Sequence, residues 1–470
     1  MSSALGTETF RARFLSEVIM EIKLSDRFTT GRLLRFILPS VCMMVFISIY
    51  GVVDGLFVSN FAGKTQFAAL NLIMPALMLP GTLGFMMGTG GSALVAKTLG
   101  QGERERANSY FSLMIYTTLI GGIALAIPMI IFIKPIALLL GADETMVDYC
   151  ADYGRIILLA LPAFMLQNAF QSFLATAQKP KLGLLCTVIA GCTNIALDAL
   201  FVGLFRWSLQ GAAAATVISQ LVGGIVPFIY FVRENDSLLR LGKTRFYGRA
   251  LFQASTNGLS ELMTNVSMSL VNMVYNYRLM EMLGEDGVAA YGVIMYVNFI
   301  FISIFIGYSV GSAPIIGYNY GAQNRTELQG LLKKSLAIVG IAGLSLTALA
   351  ELLAYPLTML FAGYDADFFA LTLHAFRLYS LQFLLCGFNI FASSFFTALN
   401  NGPVSAAISF LRTLVFQLAA LLILPELIGS DGIWLAIGTA ELCSLAVSAA
   451  FIIGKRKKYG YFPTAEKAPL

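Results

Sequence analysis

Long apolar runs, following one another from end to end, constrain this chain more than any other feature. They fall at about 34–60, 66–96, 109–133, 149–176, 182–205, 211–232, 250–280, 288–316, 334–361, 369–399, 404–428 and 432–453. A helix of about 20 apolar residues crosses the roughly 30 Å hydrocarbon core of a bilayer, so the runs read as twelve spans. Composition agrees. Of 470 residues, 57% are hydrophobic and 12% charged, about half the charged share of a soluble protein. That excludes an ordinary soluble enzyme. It also excludes disorder, which needs low hydrophobicity and high charge. The expected fold is all-α and integral to the membrane.

The net charge is +5, but its placement says more than its sum. Basic residues sit between apolar runs rather than on a soluble face with aromatics, which argues against a nucleic-acid partner. They gather before span one (Arg11, Arg13, Lys23, Arg27, Arg32, Arg35) and after span two (Lys97, Arg104, Arg106). They recur at Lys179, Lys181, Arg325, Lys333 and Lys334, and in the tail at Lys455, Arg456, Lys457 and Lys458. The opposite loops hold few (Lys64, Lys134, Arg206, Arg278) and carry acids such as Asp143, Glu144, Glu285, Asp286, Asp365 and Asp367. The positive-inside rule then places both termini in the cytoplasm with an even number of spans. The expected location is the plasma (inner) membrane. Residues 1–32 are polar and lack the apolar region of a cleavable signal, so span one is expected to act as its own insertion signal.

The longest interior polar stretch, Arg233 to Arg249, reads as a cytoplasmic linker between two halves. A shift of 221 positions places Gly63 on Gly284, Ala68–Ala69 on Ala289–Ala290, Gly90 on Gly311, Gly100 on Gly321 and Arg104 on Arg325. With one or two residues inserted, Arg155 meets Arg377 and Pro180 meets Pro403. The expected organisation is a cytoplasmic segment (1–32), a six-span lobe (33–232), the linker (233–249), a second six-span lobe (250–454) and a cytoplasmic tail (455–470). Such duplicated halves serve alternating access.

Enzyme chemistry is poorly supplied. The six cysteines form no C-x-x-C pair and mostly sit in apolar runs, as small buried hydrophobes do. His374 is the only histidine, which argues against histidine-based hydrolysis and zinc sites. No enzyme activity, cofactor or metal-ligand cluster is expected. The glycines of Gly88-Thr-Gly-Gly-Ser-Ala lie inside span two, where helix packing explains them.

Ionisable residues at membrane depth are costly and call for a function or a partner. The acids within spans are Asp54, Asp198, Glu261, Glu351 and Glu441. Counting from the outer ends of spans one and five puts Asp54 and Asp198 at one depth, about 10 Å below the surface. Tyr50 lies one turn below Asp54, Asn194 one turn below Asp198, and Thr216 at similar depth on span six. If the two acids share a site, both cannot ionise in low dielectric, and the pair holds a proton. The same oxygens suit a dehydrated Na⁺ at Asp54, Asn194, Asp198 and Thr216. If they face different cavities, each is satisfied separately. Glu351 and Glu441 show no partner in the sequence. Arg155 and Arg377, near the outer ends of spans four and ten, are expected to snorkel or pair with external acids.

Pro39, Tyr50 and Asp54 in span one, Asn194-x-x-x-Asp198 in span five and Gly211-Ala-Ala-Ala-Ala-Thr216 in span six resemble a known pattern. With Val52-Val-Asp-Gly-Leu-Phe-Val-Ser and Leu99-Gly-Gln-Gly, the set is similar to the multidrug and toxic compound extrusion (MATE) transporters. The likeness is to their DinF-like branch and its MepA-like group, over about residues 30–455. It implies two pseudo-symmetric six-helix lobes around a V-shaped cavity. It implies an antiporter that expels organic, often cationic, compounds in exchange for inward H⁺ or Na⁺. The positions matching Asp54, Asn194, Asp198 and Thr216 would form the coupling site, with Tyr50 beside it. Tyr50, Asn168, Gln171 and Glu261 are expected to face the substrate cavity, and Pro39 to kink span one. The partners implied are small organic molecules and the bilayer, with the chain a monomer. The NorM-like branch carries acids in spans seven and ten, at positions that fall near Ser269 and Phe388–Asn389 here. A coupling site is therefore expected in the first lobe only. The alternatives are a flippase for lipid-linked oligosaccharides in the same superfamily, which would need several basic residues in the cavity, and a membrane sensor or scaffold without transport.

Overall fold

The computed structural model describes residues 22–61 and 64–462. Arg11 and Arg13, the rest of 1–21 and the last residues of the tail lie outside the described residues, as do the side chains of Asn60 and Lys64. All regular elements among the described residues are helical.

Among the described residues, nine helices are each long and apolar enough to cross a membrane, and two bent pairs each provide one more crossing. The pairs are Met146–Leu159 with Leu161–Thr176, bent by 55°, and Ala366–Ser380 with Phe383–Ala398, bent by 43°. The first bend has a simple cause: Pro162, at the start of the second segment, cannot donate a hydrogen bond backwards. The remaining crossing hides in Gly248–Gly321, a run of 74 residues. At 1.5 Å per residue it would measure about 110 Å, far beyond one bilayer. It breaks at Gly284, whose φ of 64° and ψ of −155° suit glycine alone. Counting spans seven and eight on either side of that break makes twelve. The chain is thus a multi-pass, all-α membrane protein built of two six-helix halves.

Odd spans run away from the face that holds the linker, and even spans return to it. The linker is ordered. The Arg240 amide donates to Asn108 Oδ1 at 3.0 Å, and the Gly242 amide donates to Ser112 Oγ at 3.0 Å. The Arg104 guanidinium reaches the Ser237 carbonyl at 3.0 Å. Lys179 pairs with Asp236 at 2.8 Å. That ammonium, with the Tyr230 hydroxyl, holds the Asp236 carboxyl below the usual carboxylate range. Leu239 and Leu241 are buried in the first half's core. The linker therefore belongs mechanically to the first half.

The halves meet toward the linker side, where helices touch backbone to backbone. A Cβ on Gly90 would lie 1.9 Å from the Ala254 carbonyl oxygen, and one on Gly258 would lie 1.9 Å from that of Met86. Farther toward the linker face, Gly100 meets Tyr318 and Gly321 meets Lys97 in the same way. The Asn400 amide also donates to the Ala93 carbonyl across the junction at 3.1 Å. Span one is shared. Leu24, Phe28, Leu33, Phe36 and Ile37 pack into the core of the second half, and the Phe28 amide donates to Glu327 Oε1 at 2.9 Å.

Gly90→Val should cost about 1–3 kcal/mol through overpacking, read as a lower thermal midpoint in detergent. Gly438→Ala, where nothing lies within 4 Å of the new methyl, should leave the midpoint unchanged.

Candidate functional site

Asp198 ends the α-helical part of span five, and a wide π-helical turn, Ala199–Leu204, follows it directly. Such turns widen the helix and recur at functional sites. Asp198 is 0% exposed. Gly191, Asn194 and Asp198 share one face of span five, and Phe46, Tyr50 and Asp54 share one face of span one. The two faces approach closely because Gly191 has no side chain. A Cβ there would lie 2.5 Å from Phe46 Cε1 and 3.0 Å from Tyr50 Cδ1. The Phe46 and Tyr50 rings, with centroids 6.0 Å apart, thus seat span one with Asp54 one turn beyond.

The Asp54 carboxylate lies within hydrogen-bonding reach of both the Asp198 carboxylate and the Asn194 amide. Yet Asp54 Oδ1, Asn194 Oδ1 and both Asp198 oxygens are buried without a hydrogen-bond donor among the described residues. Two carboxylates face each other, acceptor to acceptor. Ionised carboxylates only accept, so one shared proton or a cation among the oxygens is what completes this arrangement. No group of three or more His, Cys, Asp or Glu side chains forms a metal cluster among the described residues. The donor set suits a monovalent cation or a proton better than a tightly held divalent ion.

The sequence reading missed Tyr153. It is 2% exposed and sits on the first segment of span four, in the electrostatic field of both Asp54 and Asp198. Counting depth along a straight span four could not reveal this, because the bend at Pro162 re-aims that segment. The one available signal was a hydroxyl within two turns of the start of the span.

The other expected site residues are placed as follows. Tyr50 lies beside Asp54, in its electrostatic field. Thr216 is half-buried on span six and makes no hydrogen bond to the cluster among the described residues. Asn168 is buried and donates to the Gly81 carbonyl at 3.3 Å, tying span four to span two. Gln171, also buried on span four, leaves its side-chain oxygen without a donor. Glu261 is half-buried one turn beyond the Gly258–Met86 contact, away from the linker, and no Lys or Arg pairs with it among the described residues. Pro39 lies within an unbroken helix, Thr30–Phe61.

The second half handles its buried acid differently, and here the sequence reading of Glu441 as partnerless is corrected. Glu441, 1% exposed, accepts from Arg412 Nε at 2.7 Å and from Asn389 Nδ2 at 2.7 Å. Ser448 Oγ in turn donates to Asn389 Oδ1 at 2.9 Å. Arg412 sits on a second π-helical turn, Leu411–Val415, in span eleven. The turn's non-standard spacing aims Arg412 at span twelve, which a regular helical count does not foresee. Glu351 also gains partners: Ser380 Oγ donates at 2.5 Å and Arg377 approaches to 3.9 Å. Asn389 occupies the stretch where the acid of the other branch would fall, and its amide serves the Arg412–Glu441 pair.

An apolar twelve-span bundle in two halves, with a donor-free carboxylate pair buried in one of them, is the architecture of a membrane transporter. The MatE family model matches residues 39–200 and 262–421, once in each half. The chain belongs to the MATE family of multidrug transporters. Among curated relatives, Multidrug export protein MepA of Staphylococcus haemolyticus (strain JCSC1435) is 25% identical over 90% of this chain and 92% of its own. MepA of Staphylococcus aureus (strain MSSA476) is 22% identical over 88% and 91%. Two solved structures share the fold. One is the outward-facing conformation of a multidrug resistance MATE family transporter of the MOP superfamily, with TM-score 0.87, 22% identity and coverage of 93% of this chain and 98% of its own. The other is MATE in the straight conformation, with TM-score 0.86, 22% identity and coverage of 92% and 97%. These relatives are export transporters, not enzymes.

Gly191→Val should push the Phe46 and Tyr50 rings off span five and abolish transport, with Gly191→Ala retaining part of it; efflux assays on equally expressed variants read the difference. Glu441→Gln strands Arg412 in the membrane interior and should cost about 3–5 kcal/mol, seen as lost thermal stability in detergent. Replacing both members by apolar residues should recover most of that loss.

Proposed function

We propose that this protein is a secondary active multidrug exporter. It moves organic, often cationic, compounds outward in exchange for H⁺ or Na⁺ moving inward, with coupling at Asp54 and Asp198. The observation that carries this reading is the buried, face-to-face carboxylate pair beside Asn194, with both Asp198 oxygens lacking a donor among the described residues. Asp54 Oδ1, Asn194 Oδ1 and both Asp198 oxygens are buried with no donor on them among the described residues, and a proton or a small cation is the natural occupant of such a site.

The linker face, with Arg240, Lys243 and Arg245, faces the cytoplasm, as do both termini, and the protein resides as a monomer in the plasma membrane. The close glycine contacts on the linker side support reading this state as open outward. In that state the pair takes up its cation from outside. Neutralising the pair removes attraction for a cationic substrate, which leaves outward. The halves then rock about the glycine-lined junction, the cation is released inward, and fresh substrate binds. Tyr50, packed on Gly191 beside Asp54, would border the substrate's path, and Glu261, with no Lys or Arg on it among the described residues, would attract the positive end of a substrate. A flippase for pyrophosphate-linked lipids would need free basic residues in the cavity. Arg412, one of the few arginines within a span, is already neutralised by Glu441.

The test is efflux of a cationic dye from proteoliposomes with ΔpH and ΔpNa imposed separately. One gradient should drive efflux, and Asp198→Asn and Asp54→Asn should each abolish the driven component while the protein stays folded. Gradient-driven efflux by Asp198→Asn at the wild-type rate would overturn the assignment.

A further inference from the structure

At the face opposite the linker, the first half contains a cavity of about 200 Å³ lined by Gln66, Tyr149, Asp152, Tyr153, Trp207, Ser208, Leu209 and Gln210. Three features connect it to the carboxylate pair. First, Tyr153 forms part of its wall and is the same buried tyrosine that lies in the field of Asp54 and Asp198. Second, Trp207 in the wall stacks on Phe201, with ring centroids 5.0 Å apart. Phe201 belongs to the π-helical turn that begins right after Asp198. Third, the Ser208 hydroxyl bonds the Gln66 side chain, joining the starts of spans two and six around the opening.

The chemistry of the wall selects for cations. Among the described residues, Asp152 is the only charged one lining it. Its carboxylate is exposed, and its partner is the Gln210 amide at 3.5 Å, with no Lys or Arg on it among the described residues. Two nearby basic groups are turned to other work: Lys134 pairs with Asp148 at 2.7 Å, and Arg155 lies in the field of the same Asp148. Arg206 does not line the cavity. Size argues in the same direction. Pockets for drug-sized ligands start at roughly 300 Å³, whereas a water takes about 30 Å³. The cavity holds a hydrated monovalent cation or a short water chain and is too small for an organic substrate.

We infer that this cavity is the outer entry vestibule for the coupling cation, with Asp152 concentrating cations at its mouth and Tyr153 forming the partition between it and Asp54–Asp198. The inference rests on the coupling role proposed for that pair. It separates the route of the cation, through the first half, from the route of the substrate, through the cleft between the halves.

The experiment measures efflux from right-side-out vesicles as a function of the external coupling cation. Asp152→Asn should raise the half-saturating cation concentration by about tenfold, the low end of what a charge-lined cleft supplies, with the maximal rate unchanged. Gln210→Cys treated from outside with a membrane-impermeant cationic thiosulfonate should raise it likewise. The anionic reagent should lower it, and wild type treated in the same way, with its native thiols, is the control. A role in folding alone would not follow the sign of the added charge. Wild-type half-saturation in Asp152→Asn and in both modified forms of Gln210→Cys, with Asp198→Asn still inactive, would overturn the vestibule and leave the coupling pair standing. Gradient-driven efflux by Asp198→Asn would instead overturn the coupling reading itself.

Discussion

Backbone contact between the two halves is the constraint on which the rest of this structure depends. Inside a bilayer, lipid tails are as apolar as leucine, so helices associate through close packing rather than through the hydrophobic effect. Gly90, Gly258, Gly100 and Gly321 let spans two, seven and eight meet at carbonyl distance along the linker side. A seam this tight has little room for intermediate positions, since packed interfaces are bistable rather than continuously deformable. The seam of spans two, seven and eight lies toward the linker side, and span one continues the contact with span eight toward mid-membrane at Gly307 and Phe299.

Within that frame the halves solve the problem of buried charge in opposite ways. The second half compensates Glu441 fully with Arg412, Asn389 and Ser448, a network with every strong acceptor served. The first half leaves Asp54 and Asp198 facing each other, with Asp54 Oδ1 and both Asp198 oxygens lacking a donor among the described residues. The duplicated halves share a layout of spans but not a charge state. The unsatisfied pair is costly in any fixed condition, and its cost changes with occupancy. The compensated pair costs the same throughout and acts as structure. A π-helical turn adjoins each of them, after Asp198 and around Arg412.

Much of this was legible in the sequence, for reasons that can be named. Twelve apolar runs are visible because the bilayer imposes length and polarity at once, and the structure returns twelve crossings once Gly284 divides the longest helix. The neighbourhood of Asp54, Asn194 and Asp198 was readable from their similar distance to the span ends, although the count on span five ran through the π-helical turn Ala199–Leu204. What was not readable depends on departures from the straight helix. Tyr153 comes into the electrostatic field of the pair from a segment bent at Pro162, and Arg412 finds Glu441 from a π-helical turn. Neither a bend angle nor a π turn has a reliable signature in residue order. Asn168 was readable as polar, but its use in tying span four to span two depends on the closeness of Gly81, which only packing reveals.

Span one has anchors in two bodies. Its beginning, from Leu24 to Ile37, is embedded in the core of the second half, whereas its middle, at Phe46 and Tyr50, rests on Gly191 of the first. A relative rotation of the halves cannot carry both anchors along unchanged. Contacts with the second half continue past Pro39, at Val41 against Gly307 and at Ser48, whose hydroxyl donates to the Phe299 carbonyl, so the two sets of anchors interleave around Phe46 and the helix must bend, slide or twist there. Asp54 therefore rides on the one helix that works as a tether between the two moving parts, and any shift between them reaches the carboxylate pair as tension in its own backbone.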